Sequence, residues 1–118
     1  MPGKLPVLDK QILSALTDDV GQATAALLIE SLKVEIDTAE KKLHEFADSV
    51  DLDLLENLAH GLKSAARSFG ALRLGDICAL LEENARAEAD MALIESQLVL
   101  FKDVAAETIG ALKKVRMN

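Results

Sequence analysis

The sequence has 118 residues, half of them hydrophobic, with a formal net charge of -7 and a pI near 4.7. This length suits one domain with one apolar core, and the apolar content argues against a disordered chain. The acidic balance and the absence of Trp and Tyr do not favour nucleic-acid binding, and the single cysteine excludes an internal disulfide.

Targeting and membrane signals are missing from the sequence. Residues 1–7 lack the apolar run of a signal peptide, and the apolar run at residues 27–29 is ended by Glu30, well short of a membrane span. We therefore expect a cytoplasmic protein without membrane association.

Two helices are predicted in the first half of the chain. A short helix over residues 9–16 follows an N-terminal extension over residues 1–8, and residues 17–19 supply capping side chains for what comes next. A long helix then spans about residues 19–48, because its apolar residues recur at spacings of three and four. This apolar stripe consists of Leu28, Leu32, Ile36, Ala39, Leu43 and Phe46.

A third helix is predicted after a break at residues 49–51. Ser49 or Asp51 provides its N-cap, and Gly70 follows its end in the position that favours a helix C-cap. Its inward stripe consists of Leu55, Leu58, Leu62, Ala65 and Phe69.

Two more helices complete the chain. The fourth spans about residues 71–88 with Leu74, Ile77, Cys78, Leu81 and Ala85 inward. Asp90 caps the fifth, whose stripe consists of Ile94, Leu98, Phe101, Ala105, Leu112 and Val115. We predict an all-α fold in a single domain over residues 1–118: an antiparallel up-down four-helix bundle over residues 19–117, with an additional short N-terminal helix.

His60 does not belong to the core pattern of the third helix. At about 100° per residue it points roughly 170° away from the middle of the apolar stripe. Its neighbours on the same outer face, three, four and seven residues away, are Glu56, Lys63, Ser64 and Arg67. We therefore predict an imidazole that is displayed to solvent.

The residues around His60 suit a nucleophilic imidazole that meets a bulky anionic donor. Gly61 leaves one side of the ring open, and Lys63 and Arg67 place two cations beside it. Ammonium and guanidinium groups stabilise the oxygens of a phosphoryl group. The nitrogen that projects farthest from the helix, Nε2, is the expected point of attack.

Residues 59–71 read Ala-His-Gly-Leu-Lys-Ser-Ala-Ala-Arg-Ser-Phe-Gly-Ala, which resembles the motif of histidine-containing phosphotransfer (HPt) domains. That motif is commonly written H-x-L-K-G, followed by small residues and G-A. Leu74, Cys78, Leu81 and Glu82 resemble the family's continuation, L-x-x-x-C-x-x-L-E. The resemblance covers about residues 59–82, and the predicted helices suit the family over most of the chain.

The resemblance implies a phosphorelay intermediate. His60 would be the phosphorylation site, accepting phosphate from the aspartate of one receiver domain and donating it to another. Lys63 would stabilise the phosphoryl oxygens, supported by Gly61, Ser64 and Arg67. Cys78 matches the family's buried cysteine, which implies a core residue.

The same resemblance implies the partners. They would be receiver domains of response regulators and of a hybrid histidine kinase, docking on Glu56, Asn57, Lys63, Ser64 and Arg67. The chain itself would bind no cofactor and no metal, the receiver would bring Mg²⁺, and the protein would act as a monomer. One position departs from the family motif, since Ser64 stands where glycine is usual.

The remaining polar features have simpler interpretations. His44 is expected to snorkel at the edge of the apolar stripe of the second helix, the pair Asp18-Asp19 to cap a helix, and the pair Glu82-Glu83 to lie on solvated helix surface. The basic end formed by Lys113, Lys114 and Arg116 favours the helix dipole, with a docking role left open.

Two alternatives remain at this stage. The sequence has no phosphate-binding nucleotide loop, which favours a phosphoryl carrier over a kinase. A helical module that binds and regulates a receiver or histidine kinase without accepting phosphate is the first alternative. A purely structural or dimerising bundle is the second.

Overall fold

The computed structural model describes residues 5–45 and 51–115, except for the side chains of residues 44 and 45, and it shows five helices and no strand in these ranges. The helices are α1 (Lys10–Val20), α2 (Gln22–Glu45), α3 (Leu52–Ser68), α4 (Leu72–Arg86) and α5 (Met91–Lys113). From α2 onwards each helix packs against the next, and α5 packs against α2. This closed ring confirms the predicted antiparallel up-down four-helix bundle with a short N-terminal helix.

The core of the bundle follows the predicted stripes closely in α4 and less closely in α3. All five inward residues predicted for α4 are buried, Cys78 among them. In α3, Leu58 and Ala65 are only half-buried, and the buried positions beside Leu55 and Leu62 belong to Ala59 and Ala66. The buried face of α3 is therefore rotated slightly towards α4 from the predicted one.

The stripes of α2 and α5 are buried over most of their length. Ile36 and Phe101 lie at the centre of the bundle, while Leu98 and Val115 are half-buried at its edge. Phe46, which was predicted to continue the α2 stripe, lies outside the described residues.

The first helix is about one turn longer than predicted. Residues 17–19 lie inside α1 and cap nothing, and the Thr17 hydroxyl donates a hydrogen bond of 2.9 Å to the carbonyl of Leu13. The break falls at Gly21, which adopts φ +88°. Asp9 is the N-cap of α1, because its carboxylate accepts hydrogen bonds from the backbone N–H groups of the two residues that follow Lys10.

The ends of the other helices agree with the predicted caps where they are described. The carboxylates of Asp51 and Asp90 accept backbone hydrogen bonds at the starts of α3 and α5. Ser49, the alternative cap, lies outside the described residues. Helix α4 ends at Arg86 instead of residue 88.

Gly70 joins α3 to α4 and fixes how the two helices meet. Its φ is +83°, and a Cβ there would lie 2.7 Å from the carbonyl oxygen of Asp9. The Gly70 carbonyl in turn accepts a 2.7 Å hydrogen bond from the Asp9 N–H. This close contact ties the start of α1 to the α3–α4 turn, and the α3–α4 pair carries the site. Within the described ranges no helix has the length and apolar character needed to cross a membrane.

Candidate functional site

His60 lies in the middle of α3 with its imidazole facing solvent. Its side chain is 63% exposed, which confirms the prediction that the ring is displayed. One ring nitrogen is nevertheless engaged, because Nδ1 lies 2.7 Å from Oε2 of Glu82 on α4. The imidazole is therefore held by a carboxylate at Nδ1, while the opposite edge of the ring faces solvent.

Glu82 is buried and gathers three partners. Its side chain is only 6% exposed, and Lys63 Nζ donates to Oε1 at 2.5 Å while Arg86 donates to Oε2 at 3.0 Å. The hydrogen bond from Lys63 lowers the pKa of the Glu82 carboxyl most; burial opposes this, and the His60 hydrogen bond lowers the pKa further. Glu82 is therefore an ionised acceptor.

The Glu82 carboxylate determines which nitrogen of His60 carries the proton. An ionised carboxylate only accepts hydrogen bonds, so Nδ1 must donate its N–H to Glu82. In the neutral ring the lone pair then lies on Nε2. Within the described part of the chain Nε2 has no hydrogen-bond partner, and it is the nitrogen that a reactant can reach.

A surface ion pair closes one side of this arrangement. Arg86 Nε donates to Glu56 Oε2 at 3.1 Å, while its NH2 group holds Glu82. Glu56 lies one turn before His60 on α3, so this ion pair links α3 to α4 beside the imidazole ring.

Two residues of this network were missed by the sequence analysis. Glu82 was predicted on solvated surface, which is wrong, although Glu83 is exposed as expected. Glu82 lies on the α3-facing edge of the buried stripe, four residues after Cys78, and its position in the L-E pair of the family motif was the available signal. Arg86 follows Glu82 by one turn, the spacing at which a helix pairs opposite charges.

Some of the other predicted site residues contact this network and some do not. Lys63 joins the network, and Gly61 leaves open space, since a Cβ there would meet nothing within 4 Å. Ser64 and Asn57 are exposed on the same helix, and among the described residues the Ser64 hydroxyl makes no hydrogen bond to His60. Arg67 makes no hydrogen bond or ion pair with this network in the described ranges, and the aliphatic part of its side chain lies against Gly75 on α4.

Cys78 is fully buried beneath this surface. Burial raises the pKa of its thiol to about 12, which makes the residue a core side chain without thiolate character. This agrees with the role that the family resemblance implied.

The other polar features lie away from His60. Asp18 and Asp19 are exposed in α1, and Lys113 and Lys114 lie at the end of α5. Arg116 and the side chain of His44 lie outside the described part of the chain. Among the side chains that the structure describes, none form a group of three or more that could hold a metal ion.

Comparison with known proteins tests the family. The family model of the Hpt domain matches residues 11–114, which is most of the chain. The chain belongs to the Hpt domain family. This Hpt domain is 32% identical over 81 residues to the phosphorelay protein LuxU of Vibrio harveyi, covering 69% of this chain and 71% of LuxU. It is 31% identical over 96 residues to LuxU of Vibrio vulnificus strain YJ016, covering 81% and 82% of the two chains.

A solved structure has the same fold. The histidine-containing phosphotransfer protein B (HptB) of Pseudomonas aeruginosa PAO1 superposes with a TM-score of 0.84 and 23% identity, over 92% of this chain and 93% of HptB. The five-helix arrangement of this Hpt domain is therefore an architecture already seen in a crystal.

Proposed function

We propose that this Hpt domain is a phosphorelay intermediate that accepts a phosphoryl group on Nε2 of His60 from a receiver aspartate and passes it to a second receiver. The observation that carries the proposal is the exposed imidazole held at Nδ1 by the buried carboxylate of Glu82. Identity of 31–32% with two phosphorelay proteins supports it.

The proposed reaction balances without an external acid or base. The Nε2 lone pair attacks the phosphorus of the aspartyl phosphate, an N–P bond forms, and the P–O bond to the aspartate breaks with its electron pair. The aspartate leaves as a carboxylate. The imidazole ring becomes cationic, and the Nδ1–H bond to Glu82 stabilises that charge. Donation to the next receiver is the reverse of these steps.

Lys63 is suited to hold the phosphoryl oxygens. Its ammonium has three N–H donors, of which the structure assigns one to Glu82. The remaining donors lie one turn from His60 on the α4-facing side of α3. Lys63 would stabilise the charge on the oxygens of the transferring group while Glu82 keeps the ammonium in place.

We also propose the partners that the family resemblance implied. Receiver domains of response regulators and of a hybrid histidine kinase would dock on the exposed part of α3, and the receiver would supply Mg²⁺. The docking residues would be Glu56, Asn57, Lys63, Ser64 and Arg67. The protein would act as a monomeric carrier with no kinase activity of its own.

The test of this proposal uses the two histidines of the sequence. The parent protein should take label from a phosphorylated receiver in a bond that is acid-labile and stable to base. His60→Gln should take none, whereas His44→Gln, the matched control, should behave like the parent, with both variants folded by circular dichroism.

Two results would contradict the proposal. One is label on the His60→Gln protein at the parental rate. The other is tight binding of the receiver with no label on the parent, which would establish the non-phosphorylated regulatory module instead.

A further inference from the structure

Arg67 occupies an unusual position beside the site. It lies two turns after His60 on the same helix, it is exposed, and it has no ion-pair or hydrogen-bond partner among the described residues. Lys63 and Arg86, by contrast, are both held by Glu82. Glu56 and Glu82 are paired with Lys63 and Arg86, so Arg67 is left as a cation of α3 without an ion-pair partner among the described residues.

Gly75 on α4 is the reason that Arg67 can lie where it does. A Cβ at Gly75 would come within 2.9 Å of Arg67 Cγ, 3.4 Å of its Nε and 3.7 Å of its Cδ. Gly75 is buried, and the aliphatic part of the Arg67 side chain, its stem, packs over it where α3 meets α4. Any residue larger than glycine would push the stem away from α4. Arg67 is nevertheless exposed, so its guanidinium is open to solvent at the contact between α3 and α4, two turns from His60.

We propose that Arg67, held in the slot that Gly75 leaves open, is the docking residue that binds a surface carboxylate of the incoming receiver. This inference rests on the proposed function. A guanidinium binds a carboxylate with two parallel N–H donors, and a stem already fixed against α4 loses little entropy on binding. In a chain of net charge -7, a cation without an ion-pair partner in the described part of the chain, two turns from the reactive histidine, also selects for an acidic contact and against a basic one.

The proposal predicts a change in KM and not in the chemistry. The probe is the phosphorylated receiver domain, from the receivers of the source genome, that labels the parent protein fastest. Arg67→Glu should raise KM for this receiver about tenfold or more and leave kcat within about twofold. Arg67→Lys should have a KM between that of the parent and that of Arg67→Glu, because lysine keeps the charge and loses the two-donor geometry.

Phosphoramidate separates docking from reactivity, because this small phosphodonor needs no protein interface. Arg67→Glu should be phosphorylated by phosphoramidate at the parental rate. Lys102→Glu, the same charge change at an exposed residue of α5, the helix diagonal to α3 in the bundle, should leave both reactions unchanged.

The slot is tested by a double-mutant cycle. Gly75→Ala should raise KM in the parent and have no further effect when Arg67 is already alanine. A KM of Arg67→Glu within twofold of the parent would overturn the proposal, and so would an equal loss of rate with phosphoramidate. If Arg67 only favours the helix dipole at the end of α3, the variant would lose stability with an unchanged KM, which also overturns it. Failure of the proposed function itself looks different, because the parent would then take label from neither donor.

Discussion

At the scale of single residues, Glu82 organises the site without being able to react in it. It is buried, it orients the His60 ring through Nδ1, and it fixes the Lys63 ammonium. At metal-bound histidines, removal of the partner that orients the imidazole lowers metal affinity or activity roughly 10–100-fold. The same reasoning applies to His60, because the proton held on Nδ1 leaves the reactive lone pair on Nε2.

Glu82→Leu should lower kcat for phosphotransfer about 100-fold, and Glu82→Gln about 10-fold. The glutamine carbonyl can still accept from Nδ1–H but carries no charge, whereas leucine removes both the acceptor and the charge. KM for the receiver should stay within about twofold, since Glu82 lies beneath the surface. Glu83→Gln, at the exposed neighbour, is the control, and a Glu82→Leu protein with parental kcat would contradict this role.

Glu82 should also give the protein a pH-dependent contribution to stability. Its pKa in the folded protein lies below the ordinary value of 4.5, so the carboxylate stabilises the fold fully above about pH 4.5. This contribution is lost as the pH falls through the lowered pKa. In urea unfolding between pH 3 and 7, the free-energy difference between the parent and Glu82→Gln should be constant above pH 5 and shrink below it. A difference that grows towards low pH would show that the shift has the opposite sign.

At the scale of elements, α3 combines good helix formers with a glycine next to the functional histidine. Gly61 is inside the helix, and an added Cβ would meet nothing within 4 Å. A glycine in such a position costs a helix about 0.5–1 kcal/mol relative to alanine. The site therefore contains a residue that weakens its own helix and leaves space beside the ring.

Gly61→Ala should stabilise the fold by about 0.5–1 kcal/mol and at the same time raise KM for the receiver several-fold. The added methyl group fills space beside His60, where the partner must approach. Gly110→Ala is the matched control, because Gly110 is also helical and also open but lies on α5. It should give the same gain in thermal unfolding with no change in transfer, and equal KM values for the two variants would show that Gly61 has no role in access.

The elements also show what a sequence can predict. The five helices and the outward direction of His60 follow from the helical repeat, because burial of one face constrains every third or fourth residue. The length of α1 was wrong because residues 17–19 resemble a cap, whereas the chain breaks at the positive φ of Gly21. Glu82 was missed because its partners His60 and Lys63 lie on another helix.

At the scale of the whole molecule, α1 is part of the same core as the bundle. Leu13 is buried in one apolar cluster with residues from all four bundle helices, and α1 contacts both α2 and α3. The Asp9–Gly70 hydrogen bond fixes its start to the turn between α3 and α4. We therefore expect α1 and the bundle to unfold together in one cooperative transition.

Leu13→Ala should lower the free energy of unfolding by about 2–4 kcal/mol, because it removes buried apolar surface and leaves a cavity. Leu27→Ala is the same substitution at a side chain that is 72% exposed on α2, and it should change stability by less than about 0.5 kcal/mol. Urea unfolding followed by circular dichroism should give one transition for Leu13→Ala, with a lower midpoint and an unchanged m-value. If hydrogen exchange instead shows α1 amides opening alone while the midpoint of the bundle stays parental, α1 is an appendage. The α3–α4 turn would then have to hold His60 opposite Glu82 without help from the N-terminal helix.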